Sequence, residues 1–257
     1  ICNRSIKKME KKLNNKVAII TGASGGLGSS IATKFAENGC ELILTYKSNK
    51  KKIDILSEKL NQIDCKFHIV KADISKKKDR QKIFNKIKNN KIDILVNNAG
   101  INKVSDFLDI SEKDWDQIID TNLKATFFLT QEIFRMMKKN LNGKIINISS
   151  GAALYHGPRT AHYAISKAGI ISFTKLVARF GSKYNILSNA IAPGIIKTNL
   201  TKKEVLGSGG KNYLDMTLLK KFGSLNDVSN AALYLSSNDQ NYITGEVLNI
   251  TGGAYLG

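Results

Sequence analysis

The chain has 257 residues, 42% of them hydrophobic and 24% charged, which is close to the globular average and excludes wholesale disorder and fibrous structure. No run of 18 apolar residues occurs, and Cys2, Cys40 and Cys65 lie far apart in sequence, so neither a membrane-spanning helix, a disulfide scaffold nor a cysteine zinc site is expected. The formal charge of +19 raises nucleic acid or an anionic surface as a partner, but 35 of the 40 basic residues are Lys, and Asn (25) and Ile (32) are inflated alongside them.

That pattern is the signature of AT-rich coding. Arginine, the usual reader of phosphates and base edges, is scarce. The charge is therefore read as a solvated lysine surface, with no nucleic-acid or membrane partner, and it leaves an acidic partner open.

Residues 1–15 are polar and basic and lack the apolar core of a secretory signal. They read as a disordered lead or expression remnant, with a trace of an organelle-targeting segment as the alternative. A cytoplasmic or, in that case, organelle-matrix location follows. From residue 16 onward strand-like and helical stretches alternate. Strands are predicted over 17–21, 41–46, 66–71, 92–96, 144–148, 186–191 and 246–250. Helices are predicted over 27–37, 50–62, 76–88, 111–139, 161–182 and 226–237, with Gly39 as a stop and Ser111 and Asp114 as a capping-box variant. Repeated βα alternation without a linker predicts one domain over 16–257: a Rossmann-type α/β fold with a doubly wound parallel sheet of about seven strands, flanked by helices. The one irregular stretch, 197–222 with its glycines at 207–210, reads as a mobile substrate loop.

The first strand runs into Thr21-Gly22-Ala23-Ser24-Gly25-Gly26-Leu27-Gly28 and then a helix. Glycines at Gly22, Gly26 and Gly28 permit a tight turn and let a pyrophosphate reach the helix N-terminus. An NAD site usually ends its second strand with an acid for the ribose 2′-hydroxyl. Here that strand ends in Thr45, Tyr46, Lys47, Ser48 and Asn49, with no acid, and Lys47 suits a 2′-phosphate. NADP(H) is therefore preferred, with NAD(H) as the alternative.

Two Tyr-x-x-x-Lys matches occur, Tyr46 with Lys50 and Tyr163 with Lys167. Only the second lies within one predicted helix, on one face, after a strand that ends in Ser149-Ser150. A free phenol has a pKa of about 10 and is a poor acid–base at neutral pH, but an adjacent ammonium lowers it. Ser150 can donate to a substrate oxygen as charge develops there.

Together these residues resemble the short-chain dehydrogenase/reductase family, from residue 16 to the end of the chain. The turn is similar to the family's TGxxxGxG, which implies cofactor contacts from Gly22, Ser24, Gly26, Leu27 and Gly28. Asp73, followed by Ile74, matches the acid that meets the adenine. Asn97-Asn98-Ala99-Gly100 matches the motif after the fourth strand, implying contacts from Asn98, Ala99 and Gly100. Asn122 falls at the helix asparagine that holds a water beside the catalytic lysine, and Ser150, Tyr163 and Lys167 form the catalytic set. Pro193-Gly194 with Ile196 and Thr198 matches the segment that contacts the nicotinamide carboxamide.

Within the family, length and endings are most similar to 3-oxoacyl-[acyl-carrier-protein] reductases. The resemblance implies an NADPH-dependent oxidoreductase acting on a 3-oxoacyl thioester in fatty acid biosynthesis. It also implies a homotetramer, or a dimer, with the substrate carried on acyl carrier protein. Gly25 stands where a basic residue is frequent, and Phe180 and Gly181 stand where a Glu and a small residue are common. Leu141 and Tyr184 occupy the positions of two carrier-docking arginines, with Lys139 and Lys183 beside them. A second enzyme reading is a dehydrogenase of a sugar, polyol or steroid, with Tyr155, His156, Arg159 and His162 lining a polar pocket, although loop surface is the plainer role for the two histidines. A noncatalytic nucleotide- or nucleic-acid-binding protein is the third, and the Ser150–Tyr163–Lys167 set argues against it.

Overall fold

The structure is a computed structural model that describes residues 11–88, 91–155, 160–198 and 207–256. His156, Arg159 and residues 199–206 of the expected substrate loop lie outside the described residues.

The described residues form seven strands: β1 (Val17–Ile20), β2 (Glu41–Tyr46), β3 (Phe67–Lys71), β4 (Ile94–Asn97), β5 (Gly143–Ile148), β6 (Ile186–Pro193) and β7 (Val247–Ile250). They form one sheet in the order β3-β2-β1-β4-β5-β6-β7, and every neighbouring pair is parallel. The helices in chain order are α1 (Gly26–Glu37), α2 (Lys50–Gln62), α3 (Lys77–Phe84), α4 (Glu112–Ile119), α5 (Ala125–Asn140), α6 (Ala152–Tyr155), α7 (Ala161–Gly181), α8 (Ser208–Met216) and α9 (Leu225–Ser236).

Alternate residues of each strand point to opposite faces, and both faces are apolar, so each must be covered by helices. Ala18, Ile20, Leu42, Leu44, Val96 and Ile146 pack with Ile31 and Phe35 of α1, Leu56 of α2 and Val228 of α9. Ile19, Ile43, Leu95 and Ile145 pack with Ile83 of α3, Leu129 and Ile133 of α5, and Phe173 and Val177 of α7. The chain leaves β1 in one direction through β2 and β3, then returns to place β4 on the other side of β1. The ends of β1 and β4 therefore diverge around a crevice at the topological switch point, which is where ligands bind in such sheets.

The edges differ. β3 is bounded by the exposed Lys66 and Lys71, whereas β7, Val247-Leu248-Asn249-Ile250, carries no charge. At the base of the sheet the buried Lys144 donates to the carbonyls of Ser237 and, at 2.6 Å, Gln240, and to Asn241 Oδ1 at 3.1 Å. Among the described residues no helix is long and apolar enough to cross a membrane.

Three expectations need correction. Residues 11–15 are not a disordered lead: Leu13 is fully buried in the core, and its N–H donates to the Asn38 carbonyl at 3.0 Å. The helix expected over 111–139 is interrupted by a π-turn, Asp120–Lys124, so α4 and α5 are separate, although Ser111 does cap α4 through the Asp114 N–H. Within the stretch 197–222, read as irregular, Gly207 precedes the helix α8 rather than a flexible run. Leu13→Ala should lower the unfolding free energy by about 2–5 kcal/mol in urea denaturation; a loss below about 1 kcal/mol would mean the segment is not part of the core.

Candidate active site

The crevice begins at the β1–α1 turn. Gly22 adopts φ +67°, and a Cβ there would lie 2.9 Å from Ala99 Cα, so only glycine lets the turn meet the segment after β4. A Cβ on Gly28 would lie 2.5 Å from the Gly22 carbonyl oxygen. Gly26 faces Thr198 and Leu225 at ordinary contact distance, Ser24 is half-buried in the turn, and Leu27 packs on the core. Thr21 and Asn98 lock the two strand ends together. Thr21 Oγ1 accepts from the Asn98 and Ala99 N–H groups at 3.0 Å, and Asn98 Nδ2 donates to the Thr21 carbonyl at 2.8 Å. Gly25, the N-cap of α1, supplies no side-chain cap, and the first turn holds no acid. The amides and dipole of this helix therefore remain open to an anion, and the residues present fit a dinucleotide pyrophosphate.

At the outer end, Lys47 and Asp73 form an ion pair at 2.8 Å. Burial pushes the Asp73 carboxyl up, but hydrogen bonds from Lys47 and Ser75 outweigh it and hold the group below its ordinary value. The two residues expected to meet the 2′-phosphate and the adenine thus hold each other. Ile74 is buried beside them and accepts from Arg80 Nη1 at 2.7 Å through its carbonyl. Asn49 is occupied as the cap of α2, accepting from the Lys52 N–H at 3.1 Å.

At the inner end, α7 carries Tyr163 and Lys167 on one face, with Lys167 Nζ 5.7 Å from the centre of the Tyr163 ring. Lys167 is buried, and its ammonium donates to the Ile148 carbonyl at 2.7 Å. Burial lowers its pKa to about 8. Ser149, which the sequence offered only as a strand end, donates to the Lys167 carbonyl at 2.9 Å and fixes the helix against β5. Ser150 turns into the following loop, where its Oγ accepts from the Ala152 N–H at 3.2 Å. The π-turn sets Asn122 against Ile101: Oδ1 accepts from the Ile101 N–H at 2.8 Å, and Nδ2 donates to its carbonyl at 2.9 Å and to Ser166 Oγ at 3.0 Å. Gly100 closes this cluster, since a Cβ on it would approach Asn122 Oδ1 and Lys167 Nζ at 3.3 and 3.4 Å.

Pro193 ends β6, and Gly194 donates to the Ile250 carbonyl at 2.9 Å. Ile196 is bridged to Gly223, and Thr198 faces Gly26 across the crevice. His162 is neither loop surface nor a pocket wall: it lies fully buried in the first turn of α7.

A glycine-lined crevice at the switch point, with a Tyr–Lys pair at its inner end, defines a nicotinamide-dependent oxidoreductase. The sequence pattern of the short chain dehydrogenase family matches residues 16–208, and the chain belongs to that family. It is 39% identical over 250 residues to the 3-oxoacyl-[acyl-carrier-protein] reductase FabG of Aquifex aeolicus, an alignment covering 96% of this chain and all of the relative. It is 34% identical to the enzyme of the same name from a Staphylococcus epidermidis strain, over 94% of this chain and all of that one. Among solved structures, a candidate gluconate dehydrogenase from Agrobacterium tumefaciens superposes with a TM-score of 0.90 at 26% identity, covering 95% of this chain and 97% of that one.

Lys167 loses its proton near pH 8, whereas an unfolded lysine holds it to 10.5. Between those values the unfolded chain binds more protons, so this residue makes stability rise with pH across that window. Chemical denaturation of the wild type and Lys167→Met from pH 7.5 to 10.5 should show the wild type gaining relative to the variant; a constant difference would place the ammonium in contact with solvent.

Proposed function

We propose that this enzyme is an NADPH-dependent reductase of 3-oxoacyl thioesters carried on acyl carrier protein. The observation that carries the reading is the full-length similarity to reductases of that name, joined to a site with Ser150, Tyr163 and Lys167 at the inner end of the crevice. The bound nicotinamide supplies the hydride. Gly22, Ser24, Gly26, Leu27 and Gly28 hold the pyrophosphate, Asn98, Ala99 and Gly100 the adjoining ribose, and Pro193, Gly194, Ile196 and Thr198 the carboxamide. Tyr163 gives its proton to the carbonyl oxygen, and Ser150 donates a hydrogen bond to the same oxygen. Lys167, cationic below about pH 8, favours the phenolate and grips the nicotinamide ribose. Lys167 would then pass its proton to the Tyr163 phenolate and recover one from solvent through water beside Asn122.

The preference for NADPH rests on the end of β2, which carries Lys47 and no acid and leads into Lys50, Lys51 and Lys52 at the start of α2. In this reading Lys47 would leave Asp73 to hold the 2′-phosphate, freeing Asp73 for the adenine, with Ile74 next to it in sequence. The carrier is drawn to the basic surface around Tyr184, whose ring lies 4.8 Å from Lys138 Nζ and 5.2 Å from Lys183 Nζ, next to Lys139. A location in the cytoplasm suits this role. The likeness to a candidate gluconate dehydrogenase favours oxidation of a sugar acid or polyol with NAD as the second reading.

The assembly is proposed as a homotetramer. Phe127 and Phe128 on α5 and Ile165, Leu176 and Phe180 on α7 are exposed, as are Tyr234 on α9, Tyr242, and Leu248 on β7. Two such groups on one chain suit two different contacts with further copies. Light scattering should give a mass of about four chains, and Phe180→Asp should reduce it; a monomer at micromolar concentration would refute the assembly.

Oxidation of NADPH followed at 340 nm should be fastest with acetoacetyl thioesters, and Tyr163→Phe should reduce the rate by at least about 100-fold, with NADPH affinity changed less than about threefold. Activity confined to polyols with NAD would replace the first reading by the second.

A further inference from the structure

Tyr213, on α8, is an exception on its helix. It is only 5% exposed, and its hydroxyl donates to the Thr251 carbonyl at 3.0 Å with the Ile195 backbone amide beside it. The hydroxyl sits directly over Gly194, so closely that a Cβ on that residue would lie 1.8 Å from it. Its ring stacks on Phe222 at 6.0 Å and 7° and meets Tyr155 at 6.5 Å; Tyr155 in turn covers Gly151, the residue after Ser150.

The backbone beneath it has little other support. Gly194 is tied to Ile250 on one side, and Ile195 and Lys197 pair with Gly223 on the other. The third side is the phenol. The hydroxyl makes the shorter of the two hydrogen bonds to the Thr251 carbonyl, Ala254 N–H supplying the other at 3.3 Å, so removing it loosens that carbonyl and the packing over Gly194 together in a buried site.

We propose that Tyr213 is a positioning residue: it latches α8 onto the Gly194–Ile195 backbone and thereby sets how firmly the nicotinamide end of the cofactor is held. This rests on the reading above that Pro193 to Thr198 meet the carboxamide. The adenine end, at Lys47 and Asp73, lies at the ends of β2 and β3, on the far side of β1 from β6 and β7 where the latch sits.

A consequence is that the two halves of the cofactor respond differently. Tyr213→Phe keeps the stacked ring and removes only the hydroxyl. It should weaken NADPH binding about tenfold in a fluorescence titration, leave ADP-ribose 2′-phosphate, which lacks the nicotinamide, within twofold, and shift the melting temperature by only a few degrees. Trypsin should also cut at Lys211, Lys220 and Lys221 several times faster in the variant. Phe222→Leu, which spares the hydroxyl, should give a smaller change of the same sign. Equal weakening of NADPH and the fragment, or no change in either, overturns the latch while leaving the dinucleotide reading intact. A wild-type protein that binds neither NADPH nor NADH nor the fragment overturns both.

Discussion

An ammonium group removed from water must find oxygen, and in this protein Lys167 finds it in the carbonyl that ends β5. The rest of the inner site follows from that single bond. Ser149, the next residue, pins the Lys167 backbone, so the strand end and the helix are joined twice within one turn. Gly100 leaves room for the amine because it has no side chain, and Asn122 stands on the other side, clamped to Ile101 by both its amide atoms. Burial loosens the proton on Lys167 but leaves it charged at neutral pH, which is the condition for an amine to act on a neighbouring phenol.

The outer half of the crevice is organised by a different constraint, the reversal of strand order at β1. Two loops must pass each other there, and the chain solves the crowding with glycine at Gly22 and Gly28 and with polar side chains short enough to fasten the loops. The same arrangement leaves the N-terminus of α1 without a cap of its own. α3, α7 and α8 also lack a side-chain cap, so what singles out α1 is the glycine turn that brings its bare end to the strand ends.

Strands, most helices and the pairing of Tyr163 with Lys167 were legible because each depends on short-range pattern. Alternating apolar runs marked every strand to within two residues at each end, and fixed spacing placed Tyr163 and Lys167 on one helix face. What escaped was tertiary. Leu13 stands in a lysine-rich stretch whose polarity hides one buried side chain. The π-turn around Asn122 inserts within a continuous helical pattern and changes no residue type. Tyr213 follows a glycine-rich run, and nothing nearby shows that its hydroxyl reaches the backbone of Gly194. His162 looks polar and exposed in sequence, yet the fold buries it. Lys47 was legible as a cation and Asp73 as an acid, but their pairing across β2 and β3 required the sheet register.

The unequal borders of the sheet bear on how copies of the chain can meet. One border carries Lys66 and Lys71, whose charges oppose the approach of another chain, while the other carries a charge only at its start, on the exposed Glu246. Growth through a single open border, between partners related by a two-fold axis, uses up that border in one step. Edge-to-edge pairing of that kind stops at two chains, so any larger particle must use a different surface.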